Sequence, residues 1–156
     1  MTKELTALKL LEELVYVRDC AKTKMPPEYV PRTKFTDLTA NGLTKAIITW
    51  IEIHGGLAER ISSSGRYIQG KTVGVGFYGV KHLPGKFIPG NTRNGTSDIS
   101  AVVNGKSLKI EVKIGKDRMS NAQKKYFEDA TKSGAICIVA RNFEQFINDY
   151  SKAINE

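Results

Sequence analysis

Four stretches of the chain carry apolar side chains at the spacing that places them on one face of a helix. The pattern predicts helices at residues 4–19, from near Asn41 to about His54, from Ser120 to about Lys132, and from Asn142 towards the C-terminus. Gly55-Gly56 and Gly134 follow the second and third stretches, where a glycine commonly ends a helix. Helices are therefore expected near both ends of the chain.

Strand-like patterns lie between these helices. Residues 98–103 and 107–114 are rich in β-branched residues and flank Asn104-Gly105, the strongest short sequence signal for a β-hairpin. Residues 57–62 predict a short strand, and the continuous apolar run at 135–140 predicts a buried one. The order of elements predicts an α/β fold (α+β with a mixed sheet) that has an N-terminal helix and a C-terminal helix.

Two segments interrupt these patterns and indicate how the chain is organised. Met25-Pro26-Pro27 and Pro31 predict an extended linker, so residues 1–38 are interpreted as a helix with its linker and 39–156 as the main domain. Residues 62–95 are rich in Gly, Ser and Lys and predict a partly structured basic excursion, with strand-like pieces at 72–78. The leading helix fits either an accessory arm or a dimer contact.

Positive charge is concentrated in and around this excursion. The chain has 24 Lys and Arg against 16 Asp and Glu, and no acid lies between Glu59 and Asp98. Clustered cations of this kind favour an anionic partner such as nucleic acid. The predicted phosphate contacts of this stretch are Arg60, Arg66, Lys71, Lys81, Lys86 and Arg93. The aromatic residues among them would either stack on bases or pack onto the core: Tyr67, Phe77, Tyr78 and Phe87.

Composition excludes several classes of protein. Apolar residues make up 40% of the chain and charged residues 26%, which is typical of a globular protein and not of a disordered one. No apolar run approaches the roughly 18 residues of a membrane span, and residues 1–19 lack the apolar region of a signal peptide. Cys20 and Cys137 are too few for a disulfide scaffold. We therefore expect a cytoplasmic protein with reduced thiols and no membrane partner.

The hairpin turn determines which residues of its two strands face each other. If Asn104 and Gly105 are the central turn residues, Asp98 lies directly opposite Glu111. Alternation along the strands then places both carboxylates and Lys113 on one face of the sheet. The other face is an apolar floor for the core, formed by Ile99, Ala101, Leu108, Ile110, Val112 and Ile114.

Two carboxylates that face each other across antiparallel strands indicate a bound cation. Their Cβ atoms would be about 4.5–5.5 Å apart, where like charges are destabilising. Mg²⁺ prefers one or two carboxylates together with waters and phosphate oxygens, and the Lys113 ammonium would hold an attacking water or a phosphate oxygen. The arrangement predicts metal-assisted hydrolysis of a phosphodiester. The alternative is a solvent-facing strand pair in which Lys109 and Lys113 neutralise the two acids.

Three short motifs resemble those of a known enzyme family. Gly95-Thr96-Ser97-Asp98-Ile99, Ile110-Glu111-Val112-Lys113 and Ser120-Asn121-Ala122-Gln123 resemble the G-x-x-D…E-V-K…S-x-x-Q core of the PD-(D/E)XK nuclease superfamily. Within that superfamily the chain is similar to the VRR-NUC and Holliday-junction-resolvase-like branch, over roughly residues 41–140. The resemblance implies a restriction-endonuclease-like core with the element order α-β-β-β-α-β.

The same resemblance implies roles for individual residues and partners. Asp98 and Glu111 would bind Mg²⁺ or Mn²⁺, helped by the carbonyl of Val112. Lys113 would orient or activate the attacking water, and Gln123 would support the site. Phage and bacterial members typically act on branched or structured DNA, often as homodimers. The implied partners are therefore DNA and a second copy of the chain, in a bacterial cell or a phage-infected host.

The chain departs from the family at one position, and some residues fit two roles. Members usually carry a glutamate at the start of the first core helix, whereas residues 40–45 contain no acid and Asn41 offers only a neutral hydrogen-bonding group. Gln123 completes a capping box with Ser120, so it would cap the helix, support the site, or do both. Lys116 and Arg118 would lie where a DNA backbone passes.

Together these observations predict a metal-dependent DNA endonuclease. The alternative from another class is a non-catalytic DNA-binding or junction-binding module that retains the fold, which the missing helix glutamate favours. An RNA-processing nuclease that uses the same site is a further alternative.

Overall fold

The computed structural model describes residues 6–62, 65–74, 77, 79–90 and 93–155, which form four α-helices and eight strands. The helices are α1 (Ala7–Lys22), α2 (Ala40–Ile53), α3 (Asn121–Lys132) and α4 (Phe143–Asn155). The strands are β1 (Leu57–Arg60), β2 (Arg66–Ile68), β3 (Lys71–Gly74), β4 (Val80–Leu83), β5 (Lys86–Ile88), β6 (Ile99–Val103), β7 (Lys106–Val112) and β8 (Ile136–Ala140).

A four-stranded mixed sheet forms the centre of the molecule, with the strand order β1-β6-β7-β8. The first three strands are antiparallel neighbours, whereas β7 and β8 are parallel. Parallel strands need a crossover connection, and α3 supplies it. The succession α2, β1, β6, β7, α3, β8 follows the predicted order α-β-β-β-α-β. The predicted α+β class with a mixed sheet and helices at both ends is confirmed.

The hairpin between β6 and β7 has the predicted register. Asn104 and Gly105 have φ angles of 50° and 77°, as a tight two-residue turn requires. Val103 pairs with Lys106, and Ile99 pairs with Ile110 at the far end of the ladder. The predicted apolar face is largely buried, with Ile99, Ala101, Leu108, Ile110 and Val112 in the core and Ile114 half-buried.

The core lies between this face of the sheet and three helices. Helix α2 buries a stripe at helical spacing that includes Leu43, Ile47 and Trp50, and the Thr39 hydroxyl caps its start by accepting from the Gly42 amide. Helix α4 adds Phe143 and Phe146, which are fully buried. Among the described residues, no helix combines the length and the apolar character that a membrane crossing requires.

Helix α1 contributes to the same core. Leu11 and Val15 are buried together with residues of α2, the sheet and α4. The following segment was predicted to be an extended linker. Within it, Pro27–Tyr29 forms a 3₁₀ turn, and the Pro26 carbonyl accepts a hydrogen bond from the Tyr29 amide. The Glu12 carboxylate also accepts from the Phe35 amide at 3.0 Å and so ties the segment to α1. The division of the chain at residue 38 stays a prediction.

The basic excursion forms a two-stranded β-ribbon, defined here as residues 65–74 and 79–90. Strand β2 pairs with β5, and β3 pairs with β4. Ile68 pairs with Lys86 and Lys71 with Leu83, so two residues on each strand separate the ladders and the register continues across the gap. Every residue of the four strands is exposed.

Three aromatic residues of the excursion lie at the surface and not in the core. Tyr67, Phe77 and Phe87 are all exposed, so the alternative that they pack the excursion onto the core is wrong for these three. Tyr78 lies outside the described residues, as does part of the strand-like piece predicted at 72–78, of which β3 covers the portion up to Gly74. The ribbon therefore presents its aromatic side chains to solvent.

We expect Leu11→Ala to lower the free energy of unfolding by about 2–5 kcal/mol, because it leaves a cavity under a fully buried leucine. The matched control is Leu10→Ala in the same helix, where the side chain is exposed and the expected change is below about 0.5 kcal/mol. Urea unfolding followed by circular dichroism measures both. Equally small effects would show that α1 is not part of the cooperative core.

Candidate active site

Asp98 immediately precedes β6 and lies beside the C-terminal end of β7. Its main-chain carbonyl accepts a hydrogen bond from the Ile61 amide at 2.8 Å. Its side-chain Oδ2 accepts from the Val112 amide at 2.9 Å. The β6–β7 ladder ends at the pair Ile99–Ile110, and Asp98 and Glu111 are the next residues beyond that pair on the two chain segments. The hydrogen bond to Val112 fixes the Asp98 carboxylate beside that end of β7.

The loop before Asp98 packs against the start of α3. Gly95 has a φ angle of 78°, and a Cβ at this position would collide with the backbone of Ala122. Ser97 is buried, and its hydroxyl donates to the carbonyl of Ile99 at 3.1 Å. The glycine and serine of the first motif therefore let the loop approach α3 closely enough to share one site with it.

Glu111 and Lys113 form a buried ion pair on the same face as Asp98. The Lys113 Nζ atom lies 3.2 Å from Glu111 Oε1 and 3.4 Å from Asp117 Oδ2. The exposed fractions of the two side chains are 1% for Glu111 and 9% for Lys113. The amide of Lys113 donates to the Ala140 carbonyl at 2.9 Å, which continues the hydrogen bonding to β8. The alternative of a solvent-facing strand pair fits in one respect, because Lys113 pairs with Glu111, but the burial of Glu111 does not fit it and Lys109 donates to the Ser100 hydroxyl.

Gln123 caps α3 and also contacts the buried Glu111. Its Oε1 accepts from the Ser120 amide at 2.9 Å while the Ser120 hydroxyl accepts from the Gln123 amide, which completes the capping box. Its Nε2 donates to Glu111 Oε1 at 2.5 Å. One side chain thus caps α3 and holds the buried carboxylate.

The environment shifts the pKa values of the ion pair upward. Burial raises the pKa of Glu111 first, and the charge of Asp98 raises it further, against the opposing effects of Lys113 and of the Asp98 main-chain amide. Burial alone would lower the pKa of Lys113, but its hydrogen bond to Glu111 and the charges of Glu111 and Asp117 outweigh that and raise it. Glu111 Oε2 is buried and has no hydrogen-bond partner within the described part of the chain.

These groups fit a hard divalent cation. Carboxylate oxygens are the ligands that Mg²⁺ and Mn²⁺ prefer, and a buried oxygen without a partner, such as Glu111 Oε2, calls for a positive neighbour. Within the described residues no cluster of three or more His, Cys, Asp or Glu side chains could hold a metal. Mg²⁺ accepts one or two protein carboxylates and keeps waters or phosphate oxygens, so Asp98 and Glu111, helped by the Val112 carbonyl, would be enough to hold it.

The first turn of α2 contains no acid, and Asn41 in this turn carries an amide. Asn41 Oδ1 accepts a hydrogen bond from Arg60 Nη2 at 2.8 Å. Arg60, which the sequence predicts as a phosphate contact, is exposed and lies against this turn. The position therefore adds a guanidinium to the neighbourhood of the sheet and no acid.

Two groups near the site were missed by the sequence reasoning. Glu59 pairs with Ser100 across β1 and β6 and so shares the face of Asp98, but the register of β1 cannot be read across the long excursion. A cleft of about 520 Å³ combines the predicted Arg118 with Lys124 and Arg141. These cations come from the loop after β7, from α3 and from the residue after β8, so no local pattern could have identified them as one group.

The other predicted cations lie on separate elements. Lys116 and Arg118 are exposed in the loop after β7. The Arg93 guanidinium lies 5.3 Å from the centre of the Tyr126 ring and 3.6 Å from Asp129, both on α3. The remaining predicted phosphate contacts belong to the β-ribbon: Arg66, Lys71, Lys81 and Lys86. The structure thus brings the acids, Lys113 and Gln123 together and places the predicted cations on separate elements.

We expect Mg²⁺ to raise the melting temperature of the wild type, since a ligand that binds only the folded state stabilises it. Asp98→Asn removes a negative charge beside Glu111, while the amide oxygen can still accept from Val112. The variant should therefore melt at or above the wild-type temperature in EDTA and show no shift with Mg²⁺. Scanning fluorimetry over a Mg²⁺ titration measures this, with the exposed Glu28→Gln as charge-matched control. A retained Mg²⁺ shift in Asp98→Asn would contradict the site.

Comparison with known proteins identifies no family for this chain. The chain matches no protein-family model, and no curated protein matches it significantly. The resemblance to nucleases stays a prediction from the motif residues, and the interpretation of the site depends on the contacts and distances given above.

Proposed function

We propose that the protein is a metal-dependent endodeoxyribonuclease that hydrolyses phosphodiester bonds in branched or structured DNA. One observation carries the proposal. Two carboxylates from neighbouring strands meet at the end of the sheet, the buried Glu111 Oε2 lacks a partner among the described residues, and an ammonium lies 3.2 Å from the other oxygen. A phosphodiester and a divalent cation would together complete this set of charges.

Each residue of the site would have a distinct task in the reaction. Asp98 and Glu111 would hold a Mg²⁺ or Mn²⁺ ion, with the Val112 carbonyl. When bound, such an ion polarises a phosphoryl oxygen and lowers the pKa of a bound water.

The lysine would supply a hydrogen-bond donor to the reacting groups. An ammonium has three N–H donors, and the Lys113 Nζ atom lies 3.2 Å from Glu111 Oε1 and 3.4 Å from Asp117 Oδ2. A donor that neither carboxylate takes would serve a phosphate oxygen or the attacking water. Gln123, which donates to Glu111 Oε1, would keep the opposite oxygen of that carboxylate directed to the ion.

The charge distribution supports DNA as the partner. Seven basic and two acidic residues occupy positions 41–96, immediately before Asp98. The exposed loop cations Lys116 and Arg118, and the cleft with Lys124 and Arg141, lie at the strand ends that carry the site. A phosphate backbone that passes over Glu111 would thus meet cations on several elements. We also propose that the protein acts as a homodimer in the cytoplasm of a bacterial or phage-infected cell.

A non-catalytic DNA-binding or junction-binding module is the second candidate. The observation that favours it is the first turn of α2, where Asn41 is engaged by Arg60 and no acid assists the two carboxylates. Such a module would retain the fold and the cations and would bind DNA without cleaving it.

Cleavage of defined DNA substrates tests the proposal. We expect the wild type to cut at least one of linear, nicked, flap or four-way-junction DNA with Mg²⁺ or Mn²⁺. Asp98→Ala and Lys113→Ala should each lower the rate at least about a hundredfold, because each removes a group that stabilises the reacting phosphate. The matched control is Lys152→Ala, which removes an exposed lysine of α4. Denaturing gels of end-labelled strands give the rates.

Two results would overturn the assignment in different ways. Cleavage that survives Asp98→Ala would show that the site lies elsewhere. Tight binding of DNA without cleavage by the folded wild type, under either metal, would favour the binding module.

The β-ribbon cations should contribute to the salt dependence of binding. If Lys71, Lys81 and Lys86 contact phosphates, their joint replacement by alanine should reduce the slope of log K against log salt by about 2 to 3, since each contact contributes about 0.9. Fluorescence anisotropy with labelled DNA at several salt concentrations measures the slope. An unchanged slope would contradict the assignment, as would an equal change in the control variant that replaces Lys9, Lys22 and Lys152.

A further inference from the structure

One face of the β-ribbon combines aromatic rings with lysines. Residues that pair across an antiparallel ladder share a face, and alternate residues along each strand do so too. Because the register continues between the two ladders, one face of the ribbon carries three of the pairs: Tyr67–Phe87, Lys71–Leu83 and Val73–Lys81. These residues are called the aromatic face below. The opposite face carries Ile68 and Ile88.

Glycines on the partner strands support both rings. The outer end of the Phe87 ring occupies the space that a Cβ at Gly65 would fill, and the Tyr67 ring does the same at Gly85. Each ring is thus supported by backbone of the opposite strand. The exposed fractions of the two side chains are nevertheless 64% for Tyr67 and 59% for Phe87. Both rings are held at the surface with their remaining area open to solvent.

The charge of the ribbon indicates what would cover these rings. Lys71 and Lys81 lie on the aromatic face, whereas Arg66 and Lys86 lie on the opposite face, and the sequence has no acid between Glu59 and Asp98. Contact between two copies of this face would bring lysines against lysines. A polyanion, by contrast, would satisfy the lysines while its bases cover the rings. Stacking requires a free base face, which unpaired nucleotides offer and a continuous duplex keeps inside its own stack.

We propose that the aromatic face binds an unpaired stretch of the DNA substrate, with bases stacked on Tyr67 and Phe87 and phosphates against Lys71 and Lys81. The inference rests on the proposed function for its choice of DNA, and it narrows the substrate class to DNA with a single-stranded arm or gap. The ribbon precedes the Gly95–Asp98 loop in the sequence. The unpaired stretch of the substrate would therefore lie next to the bond that is cleaved.

Binding in EDTA tests this without any requirement for hydrolysis. The probes are a fluorescein-labelled single-stranded oligonucleotide and the matching duplex. The variant combines Tyr67→Ile with Phe87→Ile, which keeps apolar strand-forming residues and removes the rings. We expect roughly tenfold to hundredfold weaker binding of the single strand, in keeping with stacking of one or two bases, and less than about a twofold change for the duplex.

The control changes the opposite face of the same ribbon. Ile68→Ala with Ile88→Ala removes more side-chain volume from residues that are also exposed, and we expect single-strand binding within about twofold of the wild type. The melting temperature of both variants should equal that of the wild type, because neither face belongs to the core. A matched melting temperature ensures that any loss of binding is local.

Several outcomes would overturn the inference. Equal losses for single strand and duplex would indicate phosphate contact alone, and equal losses in the control would show that the rings have no special role. Sedimentation velocity adds a further outcome: a dimer that dissociates in the Tyr67/Phe87 variant, with DNA binding unchanged, would make the face a contact between copies. Selective single-strand binding with no cleavage under any metal would refute the nuclease and leave this inference standing.

Discussion

The buried pairing of Glu111 with Lys113 is the interaction on which the rest of the site depends. Removal of an ionised carboxylate from water costs several kcal/mol unless hydrogen bonds and an opposite charge compensate. Lys113 and Gln123 supply that compensation at one oxygen of Glu111, whereas Asp98 adds repulsion and the second oxygen has no partner among the described residues. The arrangement is tolerated because the opposite face of the same hairpin buries a continuous apolar surface.

Local signals were sufficient wherever the structure is set by neighbours in sequence. The Asn104-Gly105 turn and strict alternation predicted the register of β6 and β7 up to the pair Ile99–Ile110, and the Ser120 capping box predicted the start of α3. Contacts between distant segments were beyond such signals. The burial of Leu11 in the main core, the pairing of Glu59 with Ser100 and the cleft with Arg141 all depend on how separate elements pack. The sequence pattern predicts that an apolar face exists, but not which partner covers it.

The pairing of strands within the excursion was also not predictable from local sequence patterns. Its composition indicated a basic surface but did not reveal that two short ladders keep one register, because glycine-rich strands have weak patterns. Once the register is known, the alternation of side chains along each strand places Tyr67 and Phe87 on one face and Ile68 and Ile88 on the other. The base of the excursion also has a fixed attachment, since Arg93 contacts Tyr126 and Asp129 on the helix that carries Gln123. The surface that would bind DNA and the site that would cut it are therefore joined through α3.

The double role of Gln123 has a consequence for variation at this position. Helix starts of this kind ordinarily accept glutamate as readily as glutamine, because either side chain can reach back to the capping residue. Here the amino group of the amide is also used, so glutamate would keep the cap but place a third carboxylate against Glu111 and Asp98. An amide rotated by half a turn would lose both contacts at once. Related chains that preserve the chemistry should therefore keep glutamine here, even where the remainder of the helix diverges.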